Sequence, residues 1–211
     1  MLGGQVVRDS DHNEHMDTTT LDIAQAAARL IVDEGMEFGA AKLQAVRDLG
    51  LGKAALPSNE DVEVQVREHI AIFCAQTQAV ELLALRRLAL LWMKRMHEFR
   101  PHLTGAVWSG IATKWSDVYL QLFCDDPKSA EITLIERGVQ YAPSTISGMR
   151  GQAVEVLSVV TPCADLDEEV VVHFLIHDYD DLRGALKPDK HGRVMRGAMA
   201  AVEALVEGQT S

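Results

Sequence analysis

Cysteine is scarce in this chain of 211 residues. Cys74, Cys124 and Cys163 are scattered and odd in number, which excludes a disulfide framework and a zinc-type spacing and suits a reducing compartment. Positive charge is short as well. Twenty Lys and Arg against 31 Asp and Glu leave a formal net charge of -11. That balance argues against a sequence-independent grip on nucleic acid, which needs clustered basic residues, but leaves room for a local basic pocket around one nucleotide. No apolar run reaches membrane-spanning length, and no basic region followed by a hydrophobic stretch opens the chain, so the expected location is the cytoplasm. A Gly-rich loop ending in Gly-Lys-Thr or Gly-Lys-Ser is missing, which excludes an ATP-dependent ligase built on that loop.

What is present suits a globular protein. Hydrophobic residues make up 47% and charged residues 24% of the sequence, enough for one substantial core or a domain with a helical appendage. Residues 1–19 are polar and aperiodic and read as a tail, in which His12 and His15 are solvated. From Leu21 the apolar residues Leu21, Ala24, Ala27, Ala28 and Ile31 share one helical face, ended by Gly35. A second helix runs over 38–49. Pro57-Ser58-Asn59-Glu60 opens a long helical tract to Phe99 with a break near Gln76. Its stripe of Leu82, Leu85, Leu88, Ala89, Trp92, Met93 and Met96 is a core face, with Arg86, Arg87, Lys94 and Arg95 opposite.

After Pro101 the chain becomes β-rich, with runs at 103–108, 116–124, 139–146, 153–160 and 169–176. Pro127 opens a helix through Glu136, and 148–151 reads as a hairpin turn. Helices are expected again at 180–183 and 198–206. The expected fold is α+β: a tail (1–19), a helical region (20–100), and a mixed sheet with flanking helices (101–211).

The stretch LTGAVWSGIATKWSDVYLQLFCDD, residues 103–126, carries the chemistry. Small residues at Gly105 and Gly110 allow a close approach to phosphate. Asp117 and Tyr119, at i and i+2, leave a strand on the same face. Trp108 and Trp115 flank the turn and serve either base stacking or packing.

This stretch resembles the front half of a nucleotidyltransferase site, as in the DNA polymerase β superfamily. There a Gly-Ser opens a helix after a strand, and a Ser-Asp-x-Asp run starts the next strand. Gly105 and Ala106 hold the Gly-Ser place, Ser109 and Gly110 follow, and Ser116, Asp117 and Tyr119 close the unit. The resemblance implies nucleotide contacts at Gly105, Ala106, Ser109, Gly110 and Ser116, a catalytic role for Asp117, Tyr119 and His173, and a divalent cation, Mg²⁺ or Mn²⁺. Tyr119 stands where the family has its second carboxylate, and a phenol is a poor magnesium ligand at neutral pH. The family's third carboxylate corresponds to Glu155 or to the place of His173. The metal ligands implied are therefore Asp117 with His173 or Glu155, and an imidazole ligand would admit a softer ion.

The passage HFLIHDYDDLRGAL is also similar to the GrpB-like branch of that superfamily, in which the catalytic carboxylates are eroded. Two functions follow. One is transfer of a nucleotide from an NTP to a protein or small-molecule acceptor. The other is a catalytically degenerate relative that binds a ligand or partner. A third, less favoured class comes from residues 21–51, which resemble the first helices of TetR-type repressors; acidic Glu60, Asp61 and Glu63 stand where a DNA-reading helix would follow.

Overall fold

The computed structural model describes residues 17–148, 151–182, 188–189 and 192–209. The expectations for His12, His15 and Arg183, and the middle of the 148–151 turn, fall outside them.

Helix α1 (Thr18–Glu34) buries Ile23, Ala24, Ala27, Ala28 and Ile31, the face that the apolar spacing predicts. It ends at Gly35, whose φ of 68° is left-handed. A side chain there would place its Cβ 2.3 Å from the carbonyl oxygen of Trp115, so glycine serves both the backbone turn and a close approach. Helix α2 (Phe38–Asp48) buries only Ala41 and Ala45, small residues that let it lie close on α1. Helix α3 (Asn59–Phe73) starts with a capping box. The Ser58 hydroxyl accepts from the Asp61 amide at 3.1 Å, and the Asp61 carboxylate accepts from the Ser58 amide at 3.0 Å. Residues 74–77 break the helical tract before α4 (Gln78–Arg95).

The sheet follows. Strands β1 (His102–Thr104), β2 (Val118–Cys124), β3 (Ala142–Ser147), β4 (Ala153–Cys163), β5 (Glu168–Asp178) and β6 (Arg196–Ala198) lie in the order β3-β4-β5-β2-β1-β6. Only β2 and β5 run parallel; the other pairs are antiparallel. Helices α5 (Gly105–Ser109), α6 (Lys128–Glu136) and α7 (Met199–Gly208) complete the set among the described residues. The α+β order of helices before a mixed sheet is thus as the sequence predicts.

Two local expectations change. The run 103–108 is strand only to Thr104, because Gly105, at φ 71°, turns the chain into α5. The three-residue strand β6 carries no pattern of its own and exists through its pairing with β1.

The core has two parts. One joins α1, α2 and α3 with Ile111. The other lies between α4 and the sheet, where Leu85, Trp92 and Met93 meet Leu120, Leu122 and Phe174. Helix α4 therefore packs with the sheet. Ala106 touches both clusters. The sheet's other face carries Tyr119, Gln121 and Phe123 beside His173, Leu175 and His177.

Candidate functional site

The turn after β1 is held from behind. Its carbonyl oxygens at Val107, Ser109 and Gly110 accept from Arg86 Nε (3.3 Å), Arg67 Nη2 (3.0 Å) and Gln78 Nε2 (3.1 Å), and Gln78 also reaches the carbonyl of Ala112 at 3.0 Å. Long side chains from α3 and α4 thus fix a five-residue helix too short to be stable alone. Ala106 fits its place because it bridges two apolar clusters, where a serine hydroxyl would need a partner. The Ser109 hydroxyl donates back to the Gly105 carbonyl at 3.0 Å. The Ser116 hydroxyl accepts from the Thr113 amide at 3.1 Å.

Register then brings three side chains together. Tyr119 pairs with His173 across the parallel strands, and His173 pairs with Ser158 on β4. Asp117, two residues before Tyr119, shares their face. His173 Nε2 lies 3.1 Å from Asp117 Oδ2, and its Nδ1 lies 2.8 Å from Ser158 Oγ. The Tyr119 ring stacks on the imidazole with centroids 4.6 Å apart. Its hydroxyl donates to Glu37 Oε1 at 2.6 Å. Burial first, then Glu37 and Asp117, push the Tyr119 phenol far above its ordinary pKa, so it stays protonated at any physiological pH.

Of these, Asp117, Tyr119 and Glu37 line a cleft of about 830 Å³ between the helices and the sheet, within the size range of small-molecule sites. The sheet side supplies Gly105, Ala106, Ser109, Ser116, Asp117 and Tyr119. The helical side supplies Glu37, Phe38, Glu63 and Arg67, and Arg193 closes one edge. Trp108 also lines it, but its ring packs against Gly197 and its indole N–H donates to the Val194 carbonyl at 2.7 Å. Packing fixes that ring as a wall. Trp115 is 53% exposed and pairs with Lys114.

Not every expected site residue joins the cleft. Gly110 is turned away toward Arg86. His173 stands behind Asp117 and Tyr119 rather than on the cleft surface. Glu155 is separated from Asp117 altogether. It pairs in register with Ile176, on the sheet face opposite Tyr119 and His173, and forms an ion pair with Lys128 at 3.0 Å. A one-residue difference in strand parity puts it on the wrong side. Asp126 accepts from the Lys128 amide and Asp178 from the Asp180 amide, the capping roles expected of such aspartates.

Sequence reasoning missed Glu37, Arg67, Arg193 and Ser158. No motif marks them; they reach the site from α1–α2, α3, the segment before β6, and β4.

The donor set does not fit a protein-held pair of divalent cations. Among the described residues, no group of three or more His, Cys, Asp or Glu is placed to hold a metal ion. Asp117 is bonded to His173, and the second position carries a protonated phenol bonded to Glu37. A bridge between two cations requires paired carboxylates.

No protein-family model matches the chain, and neither does any curated protein. Solved structures of the Cid1 poly(U) polymerase are similar over part of it. The form with MgGTP bound is 14% identical over 46% of this chain and 32% of that one, with a TM-score of 0.33. The complex with the UTP analogue UMPNPP is 14% identical over 53% and 37%, with a TM-score of 0.34. The complex with the short product ApU is 16% identical over 51% and 36%, with a TM-score of 0.32. The similarity spans about a third of the Cid1 chain.

Proposed function

We propose that this protein is a divergent relative of the nucleotidyltransferase fold whose cleft binds a nucleotide or a related phosphorylated small molecule, without two-metal transfer. The observation that supports this reading is the mutual satisfaction of Asp117, Tyr119 and Glu37 in the cleft lining, with His173 behind them. Side chains in the places of the family's carboxylates bind one another instead of standing free for cations. Asp117 remains an acceptor at the cleft surface for a sugar hydroxyl or an amino group. Gly105, Ala106, Ser109 and Ser116 shape the wall beside it.

Transfer is the second reading. Asp117 backed by His173 is a carboxylate–imidazole pair of the kind that takes a proton from an attacking hydroxyl. Calorimetric titration of NTPs into purified protein, with and without Mg²⁺ or Mn²⁺, followed by intact-mass measurement, separates the two. Binding without an adduct supports the first reading. A nucleotide adduct on the protein or on an added acceptor supports the second. Absence of binding to any nucleotide overturns both.

A further inference from the structure

The sheet face that bears Tyr119 continues past it along β2. Gln121, two residues further on, shares that face. In register it stands beside His102 of β1 and Leu175 of β5. Gln121 is only 9% exposed, yet it lines the cleft together with Leu175 and Met195. The sequence resemblance gives it no role.

Arg196 decides which way the amide points. Its Nη1 donates to Gln121 Oε1 at 2.6 Å. A guanidinium has donors and no acceptor, so the amide oxygen faces it and the NH2 group is turned away. That nitrogen donates to no described residue. It is not sealed either. Among the described residues, the buried side-chain nitrogens and oxygens without a partner are Trp92 Nε1, His177 Nε2 and Arg196 Nε. Gln121 Nε2 is therefore open to the cleft that the residue lines, with two N–H donors to offer. The charge on Arg196 polarises the amide and strengthens those donors. A donor held among apolar neighbours and left unmatched is costly, so the place favours a ligand that accepts there.

We propose that Gln121 is a specificity-determining residue of the cleft, and that its Nε2 donates to an oxo group on the heterocycle of the ligand. Leu175 and Met195, which line the cleft with it, offer apolar surface to a ring. A phosphate in that place would exchange its water for apolar flanks and one neutral donor group, which disfavours it. An oxo oxygen extends the row from Arg196 through the Gln121 amide to the ligand. An exocyclic amino group would instead set donor against donor. This assignment rests on the reading of the cleft as a nucleotide site and names the class of base that it takes.

Calorimetry on the full chain, without divalent cations, tests it with nucleoside monophosphates that differ in an oxo or amino substituent. IMP carries an oxo group where AMP carries an amino group, and UMP and CMP form a second such pair. Sugar and phosphate stay the same. The wild type should bind IMP about tenfold more tightly than AMP, and UMP than CMP. Gln121→Glu should reverse the order, because one carboxylate oxygen still accepts from Arg196 while the other replaces a donor with an acceptor. Gln121→Met should level it, and decides alone if Gln121→Glu fails to fold by circular dichroism. Equal affinity within both pairs in the wild type, or an order that the variants keep, overturns the assignment. Binding that Asp117→Asn weakens, with an order indifferent to Gln121, leaves the cleft reading standing and removes only this assignment. An order that depends on Gln121, with affinity indifferent to Asp117, does the reverse. Absence of binding of all four to the wild type overturns both.

Discussion

The hydroxyl of Tyr119 donates to Glu37 at 2.6 Å, and this bond ties the central strand of the sheet to the turn between α1 and α2. It closes one side of the cleft, at the place that the sequence resemblance gives to a second carboxylate. A hydrogen bond to a charged acceptor is worth about 1.5–3 kcal/mol, and solvent screening lowers that at this exposed bond.

Tyr119→Phe should therefore destabilise the protein by about 1–2 kcal/mol while leaving the ring stacked on His173. Glu37→Gln should cost less, because the amide oxygen still accepts from the phenol. A double-mutant cycle by urea unfolding should give a coupling of about 1 kcal/mol or more. Strict additivity of the two substitutions would show that the bond does not hold the two parts together.

Tyr119→Asp should restore the missing carboxylate at a place already flanked by Asp117 and Glu37. Repulsion and the lost ring contact should lower stability without cations. Mg²⁺ or Mn²⁺ should then raise the melting temperature of the variant but not of the wild type, with about 1.4 kcal/mol gained at tenfold over Kd. An equal response of both proteins to Mg²⁺ would mean that Tyr119 is not what keeps the cation out.

The helices and strands were legible because their causes are local. The apolar spacing of α1, the Ser58 cap and the alternation in β2 and β5 each lie within a few residues. The turn at Gly105 and the strand that holds Tyr119 were legible for the same reason, and the shared face of Tyr119 and His173 follows from strand parity once the register is known. The register itself was not legible. Glu155 sits one residue out of phase on β4 and so faces α6 and Lys128. Glu37 belongs to a turn, and its contribution depends on a contact 82 positions away in the chain. Helix α4 reads as a continuation of α3, yet its stripe faces the sheet, because only packing decides which core an amphipathic helix joins.

Stability should fall in mildly acidic solution through His102 and His177. Burial, the largest cause, lowers both from the ordinary value of 6.5; the Arg100 carbonyl at His102 and Asp181 at His177 oppose it, and Arg196 acts with it at both. The unfolded chain then takes up protons that the folded protein refuses. The contribution is complete above about pH 6.5 and is lost as pH falls toward and through the lowered values, by at most about 1.4 kcal/mol per pH unit for each histidine. Urea unfolding between pH 7.5 and 5.5 measures the slope. His102→Gln with His177→Gln should flatten it, and an unchanged slope in the double variant would assign the acid sensitivity to other groups.

The central claim is that the cleft over Asp117 and Tyr119 is where the ligand binds. Titrating ATP into isotope-labelled protein and following the amide resonances tests it most directly. The largest shifts should fall on Gly105, Ala106, Ser109, Ser116, Asp117 and Tyr119, with saturation, and Asp117→Asn should weaken the binding at least tenfold. Saturable binding that leaves these resonances unmoved, or that Asp117→Asn does not alter, would contradict it.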